Sequence, residues 1–153
     1  MGSAFLVIGI GNTLRRDDGA GWLFARGLGD ALCDTGAEAE VIVRQQLTPE
    51  LAEVVAEHGV AHVVFVDAST EIMTVALTAV PDAEATPPSS HHFTPATILA
   101  IARRLYGAEI TGWLVHLPAF DFSHGEGLSG HAASSMNLAD AIAAELLARA
   151  NPR

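Results

Sequence analysis

Two adjacent carboxylates, Asp17 and Asp18, lie in the glycine-rich stretch GIGNTLRRDDGAG (residues 9–21), beside Arg15 and Arg16. A Gly-rich turn from a strand into a helix often cradles phosphate, because free amides and the helix dipole both favour an anion. Gly9 and Gly11 supply the start of a G-x-G-x-x-G fingerprint, but the third glycine position holds Leu14, and no Walker-type lysine follows. A pyrophosphate would meet two negative charges where it needs donors. Two readings remain. The Asp pair caps the next helix, favoured by its dipole, or it belongs to a carboxylate site for a cation.

Two downstream elements favour the cation. The stretch HVVFVDAS places Asp67 after an apolar run, at the strand end where Asp18 should also lie. The stretch SSHHFTP brings His91 and His92 ahead of a helix, close to the same rim. Adjacent histidines do not readily share one ion, so one of them is expected to point inward. Two Asp and one His form a mixed oxygen and nitrogen set that suits Ni²⁺, Zn²⁺, Mn²⁺ or Fe²⁺. The other histidines have plainer expectations. His58 ends a helix, His62 starts a strand, and His116 lies within one and should pack or hydrogen-bond. His124 and His131 flank GEGLSG, a rim loop suited to recognising a partner.

Short β-branched runs alternate with helical patterns. Strands are expected at 5–10, 40–45, 62–68, 75–80 and 111–118, several of them continuously apolar, as strands covered on both faces are. Helices are expected at 19–33, 49–58, 95–106 and roughly 131–150, with Thr48–Pro49 and Thr94–Pro95 as N-cap and first helical residue. The alternation predicts an α/β fold. It should be a three-layer sandwich with a mostly parallel five-stranded sheet and helices on both faces, forming a single domain over 1–153. The stretch 68–80 returns too quickly for a helical crossover, so its strand should pair antiparallel at an edge. The Pro/Ser-rich segment 81–95 should be a loop.

Composition narrows the partners. Of 153 residues half are hydrophobic, and 18 acidic against 8 basic residues give a net charge of −10. That balance argues against nucleic acid and against a polybasic membrane anchor. The first apolar run is too short for a secretory signal, and no stretch is long enough to span a membrane, so a cytoplasmic location is expected. A single cysteine, Cys33, excludes an intramolecular disulfide and should be a buried or half-buried apolar residue.

Taken together, GIGNTLRRDDGAG, VFVDAS and SSHHFTPATILAIARRLYG resemble the family of [NiFe]-hydrogenase maturation endopeptidases, over nearly the whole chain and including GEGLS at 125–129. The resemblance implies a protease that cuts a C-terminal peptide from a hydrogenase large-subunit precursor already loaded with nickel. The nickel is then supplied by the substrate, and another divalent ion would bind only adventitiously. It implies Asp18 and Asp67 as ligands and catalytic residues, with the histidine before the helix as the third. Aligning on the helix and on Ser90 favours His91, and aligning on the glycine after the helix favours His92. Gly11, Asn12, Asp17 and Gly19 would support the loop, Asn12 through side-chain hydrogen bonds and Asp17 as a proton-handling neighbour or a mere surface cap. A non-catalytic metal- or partner-binding module acting on the same precursor is the alternative. A nucleotide-binding domain is a third; it would require NAD or ATP to raise the melting temperature in a thermal-shift titration, and no such shift is expected.

Overall fold

A computed structural model describes residues 4–82 and 93–151. Five strands form one sheet: β1 Ala4–Ile10, β2 Glu38–Arg44, β3 His62–Ser69, β4 Ala76–Ala79 and β5 Thr111–Pro118. Their order is β2-β1-β3-β5-β4, with every pairing parallel except β4 against β5. The antiparallel edge strand is as expected, although it pairs with β5 rather than with its sequence neighbour β3.

Burial explains the unbroken apolar runs. In β1, Phe5 and Val7 face a core shared with α1 (Ala20–Asp34) and α5 (Ala139–Ala150). Leu6, Ile8 and Ile10 face a second core shared with α2 (Glu50–His58) and α3 (Pro95–Tyr106). Period-two alternation therefore sends apolar residues both ways, and a central strand needs them at every position.

The crossovers diverge at β1. From β1 the chain passes through α1 to β2 on one side, then returns through α2 to β3 on the other. The ends of β1 and β3 therefore lie at the divergence point of the sheet, which is where open α/β sheets bind ligands.

Helix starts follow local chemistry in one case and depart from it in another. Thr94 accepts from the Thr97 amide at 3.2 Å while the Thr97 hydroxyl receives the Thr94 amide at 2.8 Å, a full capping box ahead of Pro95. At α2 the cap position is Pro49, with no side-chain cap; the Thr48 carbonyl accepts from Leu51, and its side chain bonds to the Glu50 carboxylate instead of capping the helix. The expected helix at 131–150 is divided into α4 (Gly130–Ser135), a 3-10 turn at Met136–Leu138 and α5. Ser134 and Ser135 hydroxyls bond back to the carbonyls of Gly130 and His131, competing with the helical ladder there. Cys33 is exposed, a correction to its expected burial. The buried stripe of α1 runs through Phe24, Leu28, Ala31 and Leu32, and helical periodicity turns residue 33 away from it.

Gly21, in the first turn of α1, lets that helix lie directly on the strand ends. A Cβ there would run into the carbonyl oxygens of Ile10 and Val66. Trp22, the next residue, is half-buried, and its indole nitrogen donates to the Arg44 carbonyl at 3.0 Å. Gly21→Ala should therefore cost about 1–3 kcal/mol, because backbone on both strands would have to shift. Gly130→Ala, where nothing lies within 4 Å, should stay within about 0.5 kcal/mol of the parent. Chemical denaturation of the two variants checks this.

Candidate functional site

The loop after β1 is built to present one carboxylate and bury the other. Gly11 carries φ +144°, and its amide donates to the Arg44 carbonyl at 3.0 Å. A side chain on Gly11 would collide with the Asp18 carbonyl, so both its conformation and its contacts exclude other residues. Asn12 holds the bend as expected, its Oδ1 accepting from the Leu14 amide at 2.9 Å. The Asn12 backbone amide donates to Asp18 Oδ2 at 3.0 Å, which aims that carboxylate. A 3-10 turn over Arg16–Gly19 follows and leads into α1, with Gly19 buried against Thr13.

Asp18 and Asp67 line one cavity of about 360 Å³ beyond the strand ends. Asp67 reaches it from the end of β3, with its Oδ1 accepting from the Ala68 amide at 2.8 Å. Ile10, Phe65 and Leu114 supply apolar floor, Gln45 to Leu47 one wall, and Phe93 with Pro95 another. Burial pushes the Asp67 carboxyl above its ordinary value. The charge of Asp18 adds to that rise, while the Ala68 amide and His116 oppose it. A second positive charge in the cavity would relieve this strain on the ionised form. The two carboxylates thus suit a cation.

His91 and His92 lie outside the described residues, as does the expected loop over 83–90. Their near neighbours Phe93 and Pro95 line the cavity. Among the described residues no group of three or more His, Cys, Asp or Glu is arranged to hold a metal ion.

His116 lies inside a strand as expected, but sequence reasoning missed its place in the site. It lines the same cavity, directly across from Asp67 in the β3–β5 register. The signal was its depth: His116 stands two residues before the end of β5 as Asp67 stands two before the end of β3. Using it requires knowing that these strands are neighbours.

Asp17 is not the surface cap expected as its plainer reading; it anchors the loop from within. It is fully buried and neither caps α1 nor faces solvent. Its Oδ2 accepts from the amides of Phe120 and Asp121 at 2.7 and 3.0 Å and from the Ser129 hydroxyl at 2.7 Å; its Oδ1 accepts from the Ser129 amide at 2.7 Å. Its own amide donates to the Asp121 carbonyl, and Arg16 reaches the Asp121 carboxylate at 2.9 Å. One side chain therefore ties the Asp18 loop to the chain after β5. His131, at the start of α4, packs edge-on against Phe120, its Nε2 3.0 Å from the Met73 carbonyl oxygen.

Burial alone would raise the Asp17 carboxyl, but the bonds from Ser129, Phe120 and Asp121 outweigh it and hold the value below the ordinary one. A depressed carboxyl stabilises the fold above its unfolded value, and that contribution vanishes as pH falls through the folded value. Asp17→Asn should cost about 3 kcal/mol at neutral pH, since an amide nitrogen then faces backbone donors. Melting curves of parent and variant taken across acid pH should converge below the ordinary carboxylate range.

No family model matches the sequence, and comparison with curated proteins gives no match. Solved structures do match. The [NiFe] hydrogenase maturation protease HycI from Thermococcus kodakarensis KOD1 superposes with a TM-score of 0.63 at 22% identity, covering 97% of this chain and 92% of its own. The hydrogenase maturating endopeptidase HybD from E. coli gives 0.66 at 18% identity, covering 97% and 94%. HybD from Thermococcus kodakarensis gives 0.60 at 21%, covering 94% and 99%. Likeness at such identities speaks for architecture and spans essentially the full length of both partners. The chain has the fold of the [NiFe] hydrogenase maturation proteases.

Proposed function

We propose that this chain is an endopeptidase that removes the C-terminal extension of a nickel-loaded [NiFe]-hydrogenase large-subunit precursor. The observation that carries the reading is the meeting of Asp18 and Asp67, from two different crossovers, in one cavity at the divergence point of this fold. The glycine-rich motif is explained by the same reading, because its glycines serve close backbone packing around Asp18 rather than a phosphate.

Nickel enters here as part of the substrate. Asp18 and Asp67, with His91 or His92 as third side chain, would hold the ion that the precursor presents. Two protein carboxylates of this kind share a borderline ion without needing to strip it from its original ligands. Such an ion supplies Lewis acidity beside the scissile carbonyl. Asp18 is fixed for this task by the Asn12 amide, and the Asp17 network holds the opposite rim in place while an extended peptide enters. The net charge of −10 suits a positively charged target and not nucleic acid. No helix among the described residues is long and apolar enough to cross a membrane. A cytoplasmic setting, where precursor would be found, belongs to the proposal.

A non-catalytic module that docks on the same precursor is the alternative. Incubating the protein with candidate large-subunit precursors, with and without nickel, and weighing the products separates the two. The parent should shorten only the loaded precursor. Asp18→Ala should slow that cut by roughly 100-fold or more, as loss of a contact worth several kcal/mol at the reacting centre does. Its melting temperature should stay near the parent's, because a single amide bond worth about 1 kcal/mol is lost. Binding without cutting by the parent, or undiminished cutting by Asp18→Ala, would count against the peptidase.

A further inference from the structure

Peptide hydrolysis needs a group that takes a proton from water and returns it to the leaving amine, and the two carboxylates are committed to the ion. The described histidines differ in whether they are free to do this. His58 engages both ring nitrogens, with Nδ1 2.8 Å from the Val54 carbonyl oxygen and Nε2 2.8 Å from Glu40. His62 is packed against Phe5 and Trp113, its Nδ1 accepting the indole proton at 3.2 Å. His131 is held by Met73 and Phe120. His124 is exposed on the rim loop, outside the cavity lining.

His116 is different in each respect. It is half-buried, it lines the carboxylate cavity, and neither ring nitrogen has a hydrogen-bond partner among the described residues. Its position is fixed by the sheet. Asp67 and His116 are register partners on neighbouring parallel strands, about 4.8 Å apart in the pairing direction. Both share the face of Phe65 and Leu114, which form the floor of the same cavity. A rigid central strand holds a reacting group more accurately than a loop does.

We propose that His116 is the proton carrier of the cleavage reaction. This rests on the endopeptidase reading above. The free imidazole nitrogen takes one proton from a water in the cavity as the water oxygen bonds to the scissile carbonyl carbon. The same proton then passes to the amide nitrogen as the carbon–nitrogen bond breaks. One water is consumed, a carboxyl and an amine terminus are released, and the imidazole ends as it began. A role as third metal ligand fits less well, since Asp18, Asp67 and His116 do not form a metal-holding group.

The test uses the full chain, a nickel-loaded precursor and two variants, His116→Gln and His116→Phe. Glutamine still hydrogen-bonds but carries no proton, and phenylalanine does neither. Both should lower kcat by about 10²–10³-fold. KM, capture of the loaded precursor and the affinity of the isolated protein for Ni²⁺ should change by less than about threefold, within roughly 0.65 kcal/mol. Retention of more than about a tenth of the parent kcat by His116→Gln would overturn the proposal. So would a parallel loss of Ni²⁺ affinity or precursor capture, which would make His116 a ligand or a docking residue. A parent protein that leaves the loaded precursor whole would remove the peptidase reading and this proposal together. A parent that cuts beside an equally active His116→Gln removes this proposal alone.

Discussion

The structure turns on what happens at the end of β1. A parallel sheet whose crossovers diverge on either side of one strand leaves a crevice that neither helix can fill. The chain leaving that strand must then turn at once, because α1 has to lie back across the sheet. Gly11 and Gly21 make the turn possible at van der Waals range, one through its positive φ and the other through the missing Cβ. Asp18 sits between them and so has no other place to project than the crevice. The glycine pattern that looks like a phosphate loop is the trace of this backbone packing.

Around that constraint the two aspartates divide the labour. Asp17 turns inward, where four donors neutralise it and the chain after β5 is drawn against the first loop. Asp18 is left partly exposed with a single amide bond. Asp67 faces it with a carboxyl that burial and its neighbour's charge make reluctant to ionise. Adjacent residues of the same type thus end in different surroundings: one is satisfied by the protein itself, the other faces the cavity with Asp67.

The rim follows the same logic. Arg16 pairs with Asp121, the Arg16 amide donates to the Gly125 carbonyl, and the Gly125 amide donates to the Leu14 carbonyl. The GEGLS stretch is therefore stitched to the loop after β1 rather than free, and His131, just beyond it, is bound to the β3–β4 connection through Met73. Exposed Leu14, Met73 and Phe120 lie along that edge.

Much of the architecture was legible in the residues alone. Continuous apolar runs require cover on both faces, Thr94–Pro95 states a helix start, and the short return after Asp67 forces an antiparallel edge strand; these are local or nearest-neighbour effects. Asp18 and Asp67 were legible as a pair because one follows and the other closes a strand, and the two strands must point the same way. The division of 131–150 and the exposure of Cys33 follow from local serine back-bonding and helical periodicity; the burial of Asp17 and the place of His116 were decided only by tertiary structure. Each depends on a partner more than a helix turn away or on which strands become neighbours: Asp17 meets residues over a hundred positions distant, and His116 meets Asp67 only because β5 inserts between β3 and β4. Side-chain type and spacing determine which elements form and which groups reach the edge. Which groups then share one cavity depends on strand order, and strand order is set by long-range packing that no short stretch of sequence contains.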